Sequence, residues 1–192
     1  KYADQYLLLR DEASVVYYFR AILENGSGAI DTETDSLDTI LCTLAGVCLY
    51  TPGQKPAYIP MHHISYVTGV ESANQVEDSV VRKCLQECED AGVKWIMHNA
   101  KFDIRVLFNK LKVVVSCYWD TMLAAKCLNE NESAALKDLH LKYCKTQDTE
   151  SLTYEKLFEG IQFTQIPISI GYLYSAGDAI KTWELYEFQK QY

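Results

Sequence analysis

A chain of 192 residues that is 48% hydrophobic and 23% charged has the composition of one ordinary globular domain, which excludes disorder, collagen-like repeats and solenoids. Its formal net charge of −8 argues against gripping nucleic acid through a basic face alone, so an anionic substrate would need metal ions to intervene. The seven cysteines are odd in number and contain no CxxC pair, which points to reduced thiols in an intracellular core rather than a disulfide framework or a zinc knuckle.

No apolar run reaches the roughly 20 residues of a membrane helix, and no basic leader or cleavage site opens the chain, so a soluble protein is expected. The chain starts at Lys1 and stops at Tyr192 within a helical pattern, so a piece of something longer is expected. Apolar residues at helical spacing predict a helix over Ser14 to Leu23, closed by two glycines at 26 and 28. Strands are predicted at Ala29 to Glu33, Leu44 to Tyr50 and Ala57 to Met61, the last two joined by a Pro-Gly turn, as an antiparallel meander. A helix over Ser79 to Ala91, a strand over Val93 to His98, a helix over Phe102 to Leu111 and a strand over Val113 to Trp119 follow. Helices over Asp120 to Leu128, Ala134 to Tyr143, Tyr154 to Phe158 and from Ile168 onward complete a mixed five-stranded sheet flanked by helices, an α/β class. No repeat or linker interrupts residues 1–192, so a single domain is expected.

Residues 31–38 hold four carboxylates and no Lys or Arg. Asp31 and Glu33, two apart on a strand, leave the same face and suit one shared cation, while Thr32 and Thr34 point the other way. The motif is short and common, and by itself it reads more plainly as a solvated acidic loop after a strand. Asp103 lies just past a strand end, where sites assemble in α/β sheets, although an acid in a first helical turn also complements the helix dipole. Tyr174 and Asp178, four apart, share one face of the last helix. Hard divalent cations want oxygen ligands from several elements, and two such ions about 4 Å apart would activate a water and stabilise the leaving oxygen of a phosphodiester.

In order and spacing, Asp31-Thr-Glu33, Asn99-Ala-Lys-Phe-Asp103 and Tyr174-Ser-Ala-Gly-Asp178 resemble the three motifs of the 3′-5′ proofreading exonuclease domain of family A DNA polymerases. Ala57-Tyr-Ile-Pro60, Asp120-Thr-Met-Leu123 and Leu136-Lys-Asp-Leu139 also look like that family's connecting segments. The resemblance covers nearly the whole chain and implies the RNase H-like fold, with the tyrosine marking the DEDDy branch. It implies that Asp31, Glu33, Asp103 and Asp178 hold two divalent ions, Mg²⁺ or Mn²⁺, with Asp31 bridging. Tyr174 would orient the attacking water as a hydrogen-bonding group, since a phenol pKa of about 10 makes it a poor general base. Leu37 and Phe102 match positions that hold the terminal bases, and Asn99 one that supports the site. The implied partner is the 3′ end of single-stranded DNA, with a polymerase domain following in the full-length chain, in a monomer located in the cytoplasm of a bacterium or phage-infected host. Gly177 and Ile180 depart from the family pattern, standing where many relatives carry further acids.

The other chemistry-bearing residues have plainer readings. His62 and His63 are expected on a loop or the surface, and His98 behind the site. Asp120 is expected to cap a helix, and Cys84 and Cys88 share a helix face without metal-binding partners. Lys101, Arg105, Lys137, Lys142 and Lys145 suit phosphate contact or a solvated face alike. Two other functions fit the same residues: an RNase D-like RNA exonuclease, and a catalytically vestigial clamp for single strands.

Overall fold

The structure, a computed structural model, describes residues 3–144 and 158–192. Residues 154–157 of the expected short helix, and Lys145, lie outside that range. Strands β1 (Leu7–Leu8), β2 (Ser27–Thr34), β3 (Leu44–Tyr50), β4 (Ala57–Pro60), β5 (Lys94–Met97) and β6 (Cys117–Asp120) form one mixed sheet in the order β1-β4-β3-β2-β5-β6. The sheet therefore has six strands rather than five. The additional β1 is two residues long, too short to show any periodicity. It joins parallel to β4 through Leu7 N–H to the Pro56 carbonyl at 2.8 Å and Leu9 N–H to the Tyr58 carbonyl at 2.9 Å.

The meander β2-β3-β4 is antiparallel as expected, and β5 and β6 extend it in parallel on the far side of β2. β6 begins later than predicted. Residues Val113 and Val115 are buried and Val114 is exposed, so the alternation of a strand is present before β6. Those residues pack under the sheet edge without strand partners among the described residues.

Helix α1 (Glu12–Asn25) starts where Asp11 accepts the Ser14 N–H at 2.9 Å and stops at Gly26, whose φ of 66° belongs to the left-handed region that glycine enters freely. With α2 (Asp78–Asp90) and α3 (Ala100–Leu111) it covers one face of the sheet, where Phe19, Ile22, Leu85 and Leu107 meet Ile30, Val47, Ile59 and Trp95. The opposite face carries the other half of each strand's alternation, Ala29, Cys48, Tyr58 and Ile96. The long helix α6 (Ile168–Gln189) lies there, its Ala176 and Ala179 fully buried against the strands. It ends at Gln189, short of Tyr192. Helices α4 (Thr121–Leu128) and α5 (Leu136–Cys144) pack outside α6 through Ala125, Leu139 and Leu185.

Histidine 63 is a correction to the surface reading, because it is fully buried. Its ring nitrogens meet Tyr58 Oη at 2.7 Å and the Ile166 carbonyl at 2.9 Å, which ties β4 to the segment entering α6. Burial lowers its pKa to about 4, so it remains neutral. His62 behaves as expected, half-exposed and 2.8 Å from Asp78. Tyr58 reaches His63 by crossing Gly46 of β3, where a Cβ would overlap both the tyrosine hydroxyl and the Ile59 carbonyl. Gly46→Ala is therefore expected to destabilise the fold by about 2 kcal/mol, read as a lower urea midpoint at unchanged slope. An unchanged midpoint would show that the Tyr58 crossing yields without strain.

Candidate active site

The alternation of β2 decides where its acids point. Ile30 packs into the layer of α1, α2 and α3, and Ala29 into the layer of α6, so Asp31 and Glu33 face α6 while Thr32 faces α3. β5 pairs β2 only from Ser27 to Ala29, and the last part of β2 runs on past it. The N–H of Thr32 is thus left without a strand partner on that side. Asp103, in the first turn of α3, accepts it at 3.0 Å and accepts the Thr32 hydroxyl at 2.6 Å with the same oxygen. Only 2% of Asp103 is exposed, so it is a buried bridge from α3 to β2 rather than a surface complement to the helix dipole.

The four carboxylates predicted from sequence converge. Asp31, Glu33 and the Cys48 thiol lie with one ligand atom each within 4.8 Å of one another, Cys48 being directly opposite Asp31 in the strand register. Burial and the charges of Asp103, Glu33 and Asp178 push the Asp31 carboxyl well above the usual carboxylate range. Burial and the charges of Asp178 and Asp103 push Glu33 up to about 8, an effect that the Lys137 ammonium partly offsets. Asp103 rises to about 7 through burial, against the two Thr32 hydrogen bonds that favour its ionised form. Cys48 is also pushed up by burial and by these acids, which leaves it a neutral packing atom beneath them.

Two further groups come from α6. Asp178 lies 3.1 Å from the Lys181 ammonium, and Tyr174, one turn earlier, accepts from the Lys137 ammonium at 2.6 Å. Lys137 also sits 4.3 Å from the centre of the Tyr174 ring. Its sequence position left phosphate contact and a solvated face equally open, and the packing of α5 on α6 brings it into the site.

The remaining predicted residues stand around this centre. Leu37 is 88% exposed, on the connection between β2 and β3. The other two acids of residues 31–38 shape that connection: Asp35 accepts the Thr43 N–H, and Asp38 accepts those of Ile40 and Leu41. Asn109 and Lys110 of α3 hold the connection through the Thr39 and Ile40 carbonyls. Asn99 is exposed, in the left-handed region at φ 65° just before α3, and Phe102 packs its partly buried ring against the core on the α3 side. Asp120 does more than the expected capping. It accepts from Met122 and Leu123 at the start of α4 and also from Asn99 and Ala100 at the start of α3. His98, between Thr121 Oγ1 and the Ala134 carbonyl, ties the same strand end to the segment entering α5.

Oxygen donors from a strand and two helices, three of them (Asp31, Glu33 and Asp103) with raised pKa values, make a set complementary to hard divalent cations. Residues 6–191 match the 3′-5′ exonuclease family. The chain belongs to that family. It is 28% identical over 159 residues to DNA polymerase I of Borreliella burgdorferi, covering 82% of this chain and 16% of the relative. It is 27% identical over 184 residues to DNA polymerase I of Chloroflexus aurantiacus, covering 94% and 19%. The chain thus spans less than a fifth of the length of either polymerase. Among solved structures, RNase D of Escherichia coli, an exoribonuclease involved in structured RNA processing, superposes with a TM-score of 0.63 at 16% identity over 97% of this chain and 45% of that one. Brucella melitensis NrnC with bound Mg²⁺ superposes at 0.60 and 20% identity over 88% and 75%. The fold is the RNase H-like fold of these exonucleases.

Raised carboxylate pKa values make proton release unfavourable in the folded chain. Glu33 and Asp103 titrate ordinarily at 4.5 and 3.8, so the folded protein without divalent ions holds extra protons and loses stability as pH rises towards about 8. Divalent ions favour the ionised forms. Calorimetric unfolding in EDTA and in Mg²⁺ is expected to show a stabilisation by Mg²⁺ that grows from about pH 4 to about pH 8. Taking the difference between the two conditions cancels the opposite trend from buried, neutral His63. A Mg²⁺ effect independent of pH would mean that the carboxylates are not where the ion binds.

Proposed function

We propose that residues 1–192 form a single proofreading domain of a DNA polymerase I-like enzyme, which removes nucleotides from single-stranded DNA 3′ ends and releases 5′-monophosphates. The observation that carries this reading is the convergence of Asp31, Glu33, Asp103 and Asp178 with Tyr174 at the end of β2. The DNA polymerase I relatives support it, and with them a polymerase domain elsewhere in the full-length chain and a location in the cytoplasm of a bacterium or phage-infected host.

In this reading the four carboxylates hold two divalent ions, Mg²⁺ or Mn²⁺, which supply a water of lowered pKa and stabilise charge on the leaving oxygen. The chain's own residues do the rest. The Thr32 hydrogen bonds fix one oxygen of Asp103, so that its second oxygen is the one presented to the site. Tyr174 orients the attacking water, as in the DEDDy branch. The Lys137 ammonium donates to the phenol oxygen and holds it in place, which suits a tyrosine that positions a water. As water attacks the terminal phosphorus, the bond to the 3′ oxygen of the preceding nucleotide breaks. Leu37, Asn99 and Phe102 hold the departing nucleotide and its neighbour by wedging, amide contact and stacking, none of which reads sequence.

A second reading, RNA as substrate, is favoured by the likeness to RNase D. A vestigial clamp is disfavoured, because four crowded carboxylates retained without a cation would only destabilise the fold.

Digestion of a 5′-labelled DNA strand, beside RNA of the same sequence, tests these alternatives. A 3′ ladder on DNA that needs Mg²⁺ or Mn²⁺ and disappears in EDTA is expected, and preference for RNA would move the chain to the RNase D side. Asp31→Ala and Asp178→Ala should each lower the rate by at least about 10³-fold, and Tyr174→Phe by about 10- to 100-fold, with the fold retained. Turnover by Asp31→Ala or Asp178→Ala at the wild-type rate would sink the site assignment.

A further inference from the structure

The net charge of −8 is unevenly placed. Helix α3 and its C-terminal cap carry Lys101, Arg105, Lys110 and Lys112, while the helix's one acid, Asp103, is buried at the end nearest the site. Among the described residues none of these cations enters an ion pair, and Lys110 and Lys112 donate only to the Ile40 and Asn109 carbonyls. Spacings of four, three and four put Lys101, Arg105, Phe108 and Lys112 in one line along the helix, and all four are exposed. At about 1.5 Å per residue the line is about 16 Å long. It begins beside Asn99 and leads away from the site to a groove of about 330 Å³ between α3 and α2, where Arg82, Lys83 and Lys112 outnumber one acid, Glu87. Alongside runs the β2–β3 connection, fastened to α3 by Asn109 and Lys110, with Leu37, Ile40 and Leu41 exposed. The charges of Lys110 and Arg105 reach its Asp38, whose carboxylate is already taken by the Ile40 and Leu41 N–H groups.

We infer that this face of α3 is the path of the substrate strand behind the nucleotide being removed: Lys101, Arg105 and Lys112 bind its phosphates in succession, while Phe108 and the exposed aliphatic side chains of the connection meet its bases. This rests on the nuclease reading and adds where the rest of the strand lies. Cations and apolar side chains interleaved on one face suit a single strand, whose bases are open to contact, better than a duplex, whose bases are stacked away inside it. At the 3.4 Å phosphate spacing of a stacked strand, the line accommodates about five phosphates. Substrates shorter than that use only its beginning, so a trinucleotide ends beside Lys101 and longer strands go on to Arg105 and Lys112.

The test is the hydrolysis of a DNA trinucleotide and a single-stranded DNA dodecanucleotide by the 192-residue chain in Mg²⁺, at several KCl concentrations. It compares wild type, Arg105→Gln with Lys112→Asn, the charge-preserving Arg105→Lys with Lys112→Arg and, as a control for overall charge, Arg20→Gln with Lys94→Gln at exposed positions of α1 and β5. Asparagine suits the left-handed backbone at residue 112, where φ is 57°. On the dodecanucleotide, Arg105→Gln with Lys112→Asn is expected to raise KM about tenfold at unchanged kcat. It should also flatten the dependence of log(kcat/KM) on log[KCl] by about 1.4, the share of two single-strand phosphate contacts. On the trinucleotide it should match wild type, and the other two pairs should stay within about twofold of wild type on both substrates. An unchanged KM and salt dependence on the dodecanucleotide, an equal loss on both substrates, or an equal loss in the control pair would each overturn the path while leaving the nuclease reading intact. No hydrolysis of either substrate by the wild-type chain would overturn both.

Discussion

Four carboxylates held within one another's field at the end of a single strand are the constraint on which the rest of this structure depends. Each taken alone would sit in water and ionise. Packed together and partly out of water, Asp31, Glu33 and Asp103 resist ionisation, and the fold has to supply the force that keeps them there. That force comes from the two apolar layers. Ile30 and Ala29 fix the pleat of β2 one turn of the alternation before Asp31, Leu107 and Val106 hold α3 under the sheet, and Ala176 and Ala179 seat α6 on the other face. The acids follow because the backbone to which they are attached has no other place to go.

The site takes from both sides of the sheet. Asp31 and Glu33 reach it from the α6 face and Asp103 from the α3 side, and they meet only because β5 stops short of β2. A longer β5 would take the Thr32 N–H into the ladder and remove the anchor that buries Asp103. Asp120 secures the same region from the next strand, capping two helix starts with one carboxylate. Acidic side chains therefore play two roles within a few residues of one another: Asp103 and Asp120 satisfy backbone N–H groups at the strand ends, while Asp31 and Glu33 are surrounded chiefly by other acids.

Lysines complete the electrostatics in a chain whose net charge is strongly negative. Lys137 and Lys181 come from different helices and attend different groups, a phenol and a carboxylate, so positive charge at the site is placed where it orients a side chain rather than spread as a basic surface. Under the proposed function, a protein of this composition would meet a polyanion through a few directed cations, at its end more than along its length.

Much of this was written in the sequence. The period of two in β2 already placed Asp31 and Glu33 together and Thr32 opposite, and the spacing of four in the last helix put Tyr174 and Asp178 on one side, because these are local geometries that a strand or helix imposes on its own residues. The three motifs, in their order and spacing, carried the resemblance to the family. Tertiary structure alone settled the rest. That Asp103 is a buried bridge, that Lys137 belongs to the site and that His63 is a core residue all depend on contacts between segments far apart in the chain. So does the sixth strand, whose two residues carry no pattern and become a strand only because β4 offers its edge. Periodicity reports which face a side chain leaves; only packing determines what it finds there.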